Sequence, residues 1–209
     1  MLIKSIFSAL IFALFISSSL AQTTGDEHEK NEFFVGYSHQ RGEFQDSRNG
    51  FEISAVRNFS RYFGIKGDFS AGFRDRTSTG SVIFGGVTST FPVRTRTQVY
   101  NFLGGVQVKD NATKSRLKPF AHALIGVAND RFRNRVPDFC STTPPDRLCN
   151  VVRSSEGSNV GFAGAFGGGL DIKINDKIDF RAIQVDYNPI YLNNGFRNNA
   201  RFGVGIVFH

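Results

Sequence analysis

Phe63-Gly64-Ile65-Lys66-Gly67-Asp68-Phe69-Ser70-Ala71-Gly72-Phe73-Arg74 is the stretch that decides the fold. Phe63, Ile65, Gly67, Phe69, Ala71 and Phe73 take one face of an extended chain, while Gly64, Lys66, Asp68, Ser70 and Gly72 take the other. A period of two is the signature of a strand with an apolar side and a polar side. The same pattern returns at Tyr100 to Lys109, with Tyr100, Phe102, Gly104, Val106 and Val108 on one face and Asn101, Gly105 and Gln107 opposite. It returns again through Phe162, Gly164, Phe166, Gly168, Leu170 and Ile172, and through Phe202, Val204, Ile206 and Phe208.

Four weaker segments complete a set of eight strands: Phe33 to Arg41, Phe51 to Arg57, Leu117 to Ala128, and Ile178 to Asn188. In the segment from Leu117 two registers stay open. Either Phe120, His122 and Leu124 or Ala121, Ala123, Ile125 and Val127 form the lipid-facing set. Strict alternation around Gln184 and Asp186 places Arg181 outward, near a head-group rim. The connections alternate in length: Asn58 to Arg61, Asp110 to Arg116 and Asn175 to Lys177 are short, whereas Gly42 to Asn49, Asp75 to Thr95, Asn129 to Ser158 and Pro189 to Asn199 are long. Short periplasmic turns and long external loops are the habit of outer-membrane barrels, and an even strand number leaves both ends of the sheet on the periplasmic side. The expected fold is an all-β, eight-stranded antiparallel up-and-down transmembrane β-barrel.

Composition and the opening residues agree. The chain has 23 Phe and 22 Gly but no Trp, so aromatics are spread through a polar sequence. Residues 1–21 combine Lys4, an apolar run from Ile6 to Ile16 and small residues ending at Ala21, the pattern of a secretory signal peptide cleaved after Ala21. That apolar run is short for a membrane-spanning helix, which needs roughly 20 residues. Residues 22–32 read as a polar periplasmic leader, and 33–209 as the barrel domain. The formal charge of +7 raises nucleic acid as a partner, but export argues for anionic lipid head groups instead.

Several segments resemble the small outer-membrane barrel family typified by the transmembrane domain of OmpA. They are Phe33-Phe34-Val35-Gly36-Tyr37-Ser38, Lys118-Pro119-Phe120-Ala121-His122-Ala123-Leu124-Ile125-Gly126, Gln184-Val185-Asp186-Tyr187 and the closing Arg201-Phe202-Gly203-Val204-Gly205-Ile206-Val207-Phe208. The resemblance implies an outer-membrane location and insertion by the barrel-assembly machinery. The family usually ends on an aromatic residue, whereas here His209 follows Phe208, which implies less efficient assembly.

Eight strands enclose an interior that side chains fill. A lumen network of Glu52, Lys66, Asp68, Gln184, Asp186 and Arg201 is expected, with Gln107 on the same side. An outer basic rim is expected from Arg74, Arg76, Arg94, Arg96, Arg131 and Arg133, facing lipopolysaccharide phosphates. Cys140 and Cys149 are expected to form a disulfide in the third external loop, worth on the order of 2 to 3 kcal/mol by restricting the unfolded chain. Gly167-Gly168-Gly169 sits in a strand, where it permits curvature or close backbone approach rather than phosphate binding. No cofactor or metal is expected. The function expected is structural or surface-recognition, through loops that bind an extracellular ligand. A narrow ion channel and a lipid A-modifying enzyme are the alternatives, the latter weakened because only His39 and His122 fall within the barrel.

Overall fold

The computed structural model describes residues 29–42, 47–84, 87–113, 115–136, 154–192 and 195–209. The expected signal peptide, Cys140 and Cys149 lie outside the described residues. The strands are β1 (Asn31–Gly42), β2 (Ser47–Asn58), β3 (Phe63–Phe84), β4 (Val87–Lys109), β5 (Leu117–Arg135), β6 (Ser155–Lys173), β7 (Ile178–Tyr187), β8 (Ile190–Leu192), β9 (Gly195–Arg197) and β10 (Asn199–Phe208). Each of the first six pairs antiparallel with the next, β6 pairs with β7, β7 with β10, and β10 returns to β1 over an unbroken register from Phe33↔Phe208 to Gly42↔Asn199. Among the described residues the ring therefore has eight members and closes on itself, with β8 and β9 a short hairpin that pairs onto β6.

This barrel is apolar outside and charged inside. Phe33, Ile53, Ile65, Phe102, Ile125, Phe162, Ile183 and Phe202 are exposed on its outer surface, whereas Glu52, Lys66, Asp186 and Arg201 are buried on its axis. Water would penalise such a surface, and a hydrocarbon layer requires it. Burial also settles the β5 register: Phe120, His122 and Leu124 point inward, and Leu117, Ile125 and Val127 outward. Phe120 fits inside because Gly169 lies opposite it; a Cβ at 169 would stand 2.9 Å from the Phe120 ring.

Three expectations are corrected. First, Arg181 points into the lumen, because the register against β6 and β10 shifts between Arg181 and Ile183 or Gln184. One extra residue in β7 reverses which parity faces inward, so Asp179 and Arg181 join Gln184 and Asp186 on the same side. Second, most of the expected loops 75–95 and 129–158 continue the strands: β3 and β4 stay paired up to Phe84↔Val87, and β5 and β6 up to Asn134↔Ser155. Beyond the lipid both faces meet water and hydrophobic alternation fades, while Thr77, Thr79, Ile83, Thr88, Thr90, Val93 and Thr95 keep a strand preference. Third, the solvated leader stops short of residue 32. Asn31 and Glu32 belong to β1, and Glu32 is buried.

Candidate functional site

The lumen is filled by a continuous chain of donors and acceptors. Lys109 Nζ donates to Glu32 and Asp171, at 3.0 Å each, and Asp171 accepts from Arg181 Nε and Nη2 at 2.8 and 3.1 Å. Arg181 Nη1 donates to Gln184 Oε1 at 2.9 Å, and Gln184 Nε2 donates to Glu52 and Asp186 at 2.9 and 2.8 Å. Arg201 completes the chain, 2.7 Å from Asp68 and 2.7 Å from Asp186, with Lys66 3.9 Å from both Glu52 and Asp68. The six residues expected to form a polar network thus lie together. Lys109, Asp171, Arg181 and Glu32 belong to it too, and strand parity carried to the strand ends and across the β7 bulge is the signal that finds them.

Two features close the axis around this chain. The Arg181 guanidinium is stacked between Phe34 and Phe120, at 4.4 and 4.0 Å from the ring centroids. Toward the outer end, Val99, Leu103, Leu124, Ala128, Ala163, Ala165, Ile190 and Leu192 form a buried apolar cluster. Ile190 and Leu192 come from the β8 strand, so that hairpin packs its apolar side into the mouth.

Outside, the paired rows run from lipid to water. On β3, β4, β5 and β6, Phe69–Phe102–Val127–Phe162 is followed by Ala71–Tyr100–Asn129–Val160 and then by Phe73–Gln98–Arg131–Ser158. The next rows are Asp75–Arg96–Arg133–Glu156 and Thr77–Arg94–Arg135. Arg94, Arg96, Arg131 and Arg133 therefore share one outward face directly above the apolar belt, together with Arg135. Arg74 and Arg76 have the opposite parity and face the inner side of the β3–β4 hairpin, which corrects their place in the expected rim. Arg131 lies over the Tyr100 ring at 5.8 Å. Asp75 is forked by Arg96 at 2.9 Å, and that hydrogen bond holds its carboxyl below the ordinary range; Arg133 donates to Glu156 at 2.9 Å. A cleft of about 380 Å³ opens here, lined in part by Arg96, Gln98, Arg131, Arg133 and Ser158.

Two structures of Ail, the attachment invasion locus protein of Yersinia pestis, have the same architecture. One, in complex with the heparin analogue sucrose octasulfate, aligns with a TM-score of 0.54 at 15% identity, covering 87% of this chain and 100% of that one. The other gives 0.52 at 16% identity over the same shares. The chain has the fold of the small outer-membrane β-barrels. No protein-family model matches the sequence, and no curated protein matches it.

His122 Nε2 is 2.9 Å from Asp186 and its Nδ1 is 3.4 Å from Lys66 Nζ, all enclosed in the lumen. His39 meets Asn49 at 2.7 Å. Glu29, Glu32 and His209 place ligand-type atoms within 4.8 Å of one another, but Lys118 takes Glu29 at 2.9 Å and Lys109 takes Glu32 at 3.0 Å. With ammonium groups on both carboxylates the trio is an ion-pair cluster, and no metal is assigned to it.

Proposed function

We propose that the protein is a sealed surface-recognition barrel of the outer membrane whose outward arginine face binds phosphate groups of lipopolysaccharide in the outer leaflet. The observation that carries this reading is a pair of like-charge cross-strand contacts, Arg94↔Arg135 and Arg96↔Arg133. Directly opposed like charges destabilise a sheet. Five arginines on this face meet two carboxylates, Asp75 and Glu156, so the face carries an excess of positive charge. Guanidinium forks suit phosphate and sulfate oxygens, and the rows set them immediately beyond the lipid-facing belt. The Ail complex with a sulfated sugar is a precedent for this fold accepting a polyanion.

The test is binding of lipopolysaccharide to the refolded protein with Arg131→Gln and Arg133→Gln combined. Retention should fall by roughly fivefold to tenfold, on the order of 1 kcal/mol for two exposed pairs, and the loss should shrink as salt rises. Dephosphorylated lipopolysaccharide should bind wild type and variant alike. A free sulfated saccharide that competes at equal charge would assign the face to soluble polyanions. Unchanged retention of lipopolysaccharide by the variant would defeat the reading.

A further inference from the structure

Phe208 points out to lipid, and the next residue, His209, turns into the periplasmic mouth. Its backbone N–H donates to the Lys177 carbonyl at 3.0 Å, which fixes the turn inward. The ring then lies between two carboxylates: Nδ1 is 2.9 Å from Glu29 Oε2, and Nε2 is 2.9 Å from Asp179 Oδ2. Only 5% of its side chain is exposed. Lys118 closes the figure from the other side, 2.9 Å from Glu29 Oε1 and 3.0 Å from Asp179 Oδ2. Glu29, His209, Asp179 and Lys118 are thus a ring of alternating charge, each member drawn from a different part of the chain.

Glu29 is placed there by its backbone. Its N–H donates to the Asn111 carbonyl at 3.3 Å, its carbonyl accepts from Asn58 Nδ2 at 2.8 Å, and the neighbouring Lys30 carbonyl accepts from the Asn58 N–H at 2.9 Å. The segment before β1 is therefore tied to the β2–β3 and β4–β5 turns. We propose that this four-membered ring is a clasp that joins the segment before β1 to the residue after β10 and locks the periplasmic mouth of the closed barrel, with His209 as its bolt.

The other charged groups at this mouth are Lys109, 4.0 Å from Asp179, with Glu32 and Asp171 bonded to Lys109 behind it. Burial works against a protonated His209, but the Asp179 and Glu29 carboxylates against the ring nitrogens outweigh it and raise its pKa to about 9. Burial likewise opposes the Glu29 carboxylate, and His209 and Lys118 outweigh that, holding it below the usual range. A raised folded-state value means that the native state holds the extra proton between about 6.5 and 9. The His209 contribution is therefore complete below pH 6.5 and is lost as pH rises through 9.

Unfolding of the refolded full chain in detergent, followed by conversion of the folded to the unfolded band on gels, tests the clasp. At pH 6.5, His209→Ala and Glu29→Gln should each speed conversion by about tenfold, which is the rate change for 1.36 kcal/mol. The double variant should be slower to unfold than the product of the two factors requires, since both changes break one interaction. His209→Lys should keep the wild-type rate. Raising the pH from 6.5 to 9.5 should bring the wild type to the His209→Ala rate while that variant stays level. A wild-type rate for His209→Ala at pH 6.5, strictly multiplicative factors, or equal alkaline acceleration in both proteins would each overturn the proposal. Should His209→Ala fail to refold, Glu29→Gln, which alters no strand residue, carries the same comparison.

Discussion

Replacing Arg201 with Met removes the cation that most of the central lumen depends on. Arg201 is fully buried and bonds Asp186 through Nε and Nη2 and Asp68 through Nη1, with Glu52 3.6 Å away. Methionine keeps much of the volume, so the loss is electrostatic. Three carboxylates then face Lys66, which reaches Glu52 and Asp68 only at 3.9 Å, together with His122 and Gln184. Breaking a buried pair from one side costs roughly 3 to 5 kcal/mol, and the remaining donors place this case near the lower bound. About 3 kcal/mol is on the order of a hundredfold in the folding equilibrium. Urea titration in lipid vesicles would read it, using gel migration and tyrosine fluorescence because the chain has no Trp. Asp68→Asn with Asp186→Asn in the same chain should restore part of the loss at neutral pH. A deficit under about 1 kcal/mol, or no recovery in that triple variant, would refute the argument that this arginine compensates buried charge.

Two further outcomes follow from the same geometry. Ile125→Arg places a charge on the lipid face of β5 and should cost roughly 2 to 4 kcal/mol in a urea titration; an unchanged midpoint would contradict the outward placement of Ile125. Planar bilayers loaded with the protein should stay silent, because the stacked Arg181 and the apolar cluster around Leu103 and Leu124 fill the axis; stepwise currents at high load would contradict that packing.

The alternation around Phe63 to Phe73 was readable because lipid lies on one side of it and paired charge on the other. Where one of those conditions ends, so does legibility. β5 carries Phe120 and Leu124 inward and Ile125 and Val127 outward, so both faces look apolar, and only the glycine opposite Phe120 explains why an aromatic ring fits inside. Arg181 escapes strict alternation because a bulge leaves no mark in a single sequence; Ala182 and Ile183 are ordinary strand residues. Beyond the belt the strict alternation stops, so the sequence marks 75–95 and 129–158 as connections although the strands stay paired through most of them. For the rim, the arginines are legible but not their side of the sheet: Arg74 and Arg76 lie on the face opposite Arg94, Arg96, Arg131 and Arg133. The clasp was hidden for another reason: Glu29, Lys118, Asp179 and His209 are far apart in the chain, and only closure of the ring brings them together.

Charge pairing separates the arginines inside the barrel from those on its outward face. Inside, Arg181 and Arg201 each meet carboxylates at 2.7 to 2.8 Å and have no surface left for anything else. A low-dielectric lumen demands this, since an unpaired charge there would be costly. The outward face operates under different physics. Arg94 opposes Arg135 and Arg96 opposes Arg133 across the β4–β5 ladder, in a region long enough for other residues to have taken those positions. Water and salt reduce the repulsion, and Asp75 and Glu156 neutralise part of it, so the arrangement is tolerable but keeps an excess of positive charge. An anion seated between the two strands would turn each repulsive pair into a bidentate site, and the rows of Tyr100 and Phe102 fix its depth at the boundary of the belt. On the function we propose, recognition belongs to the outward arginine face of the hairpins and not to the filled lumen.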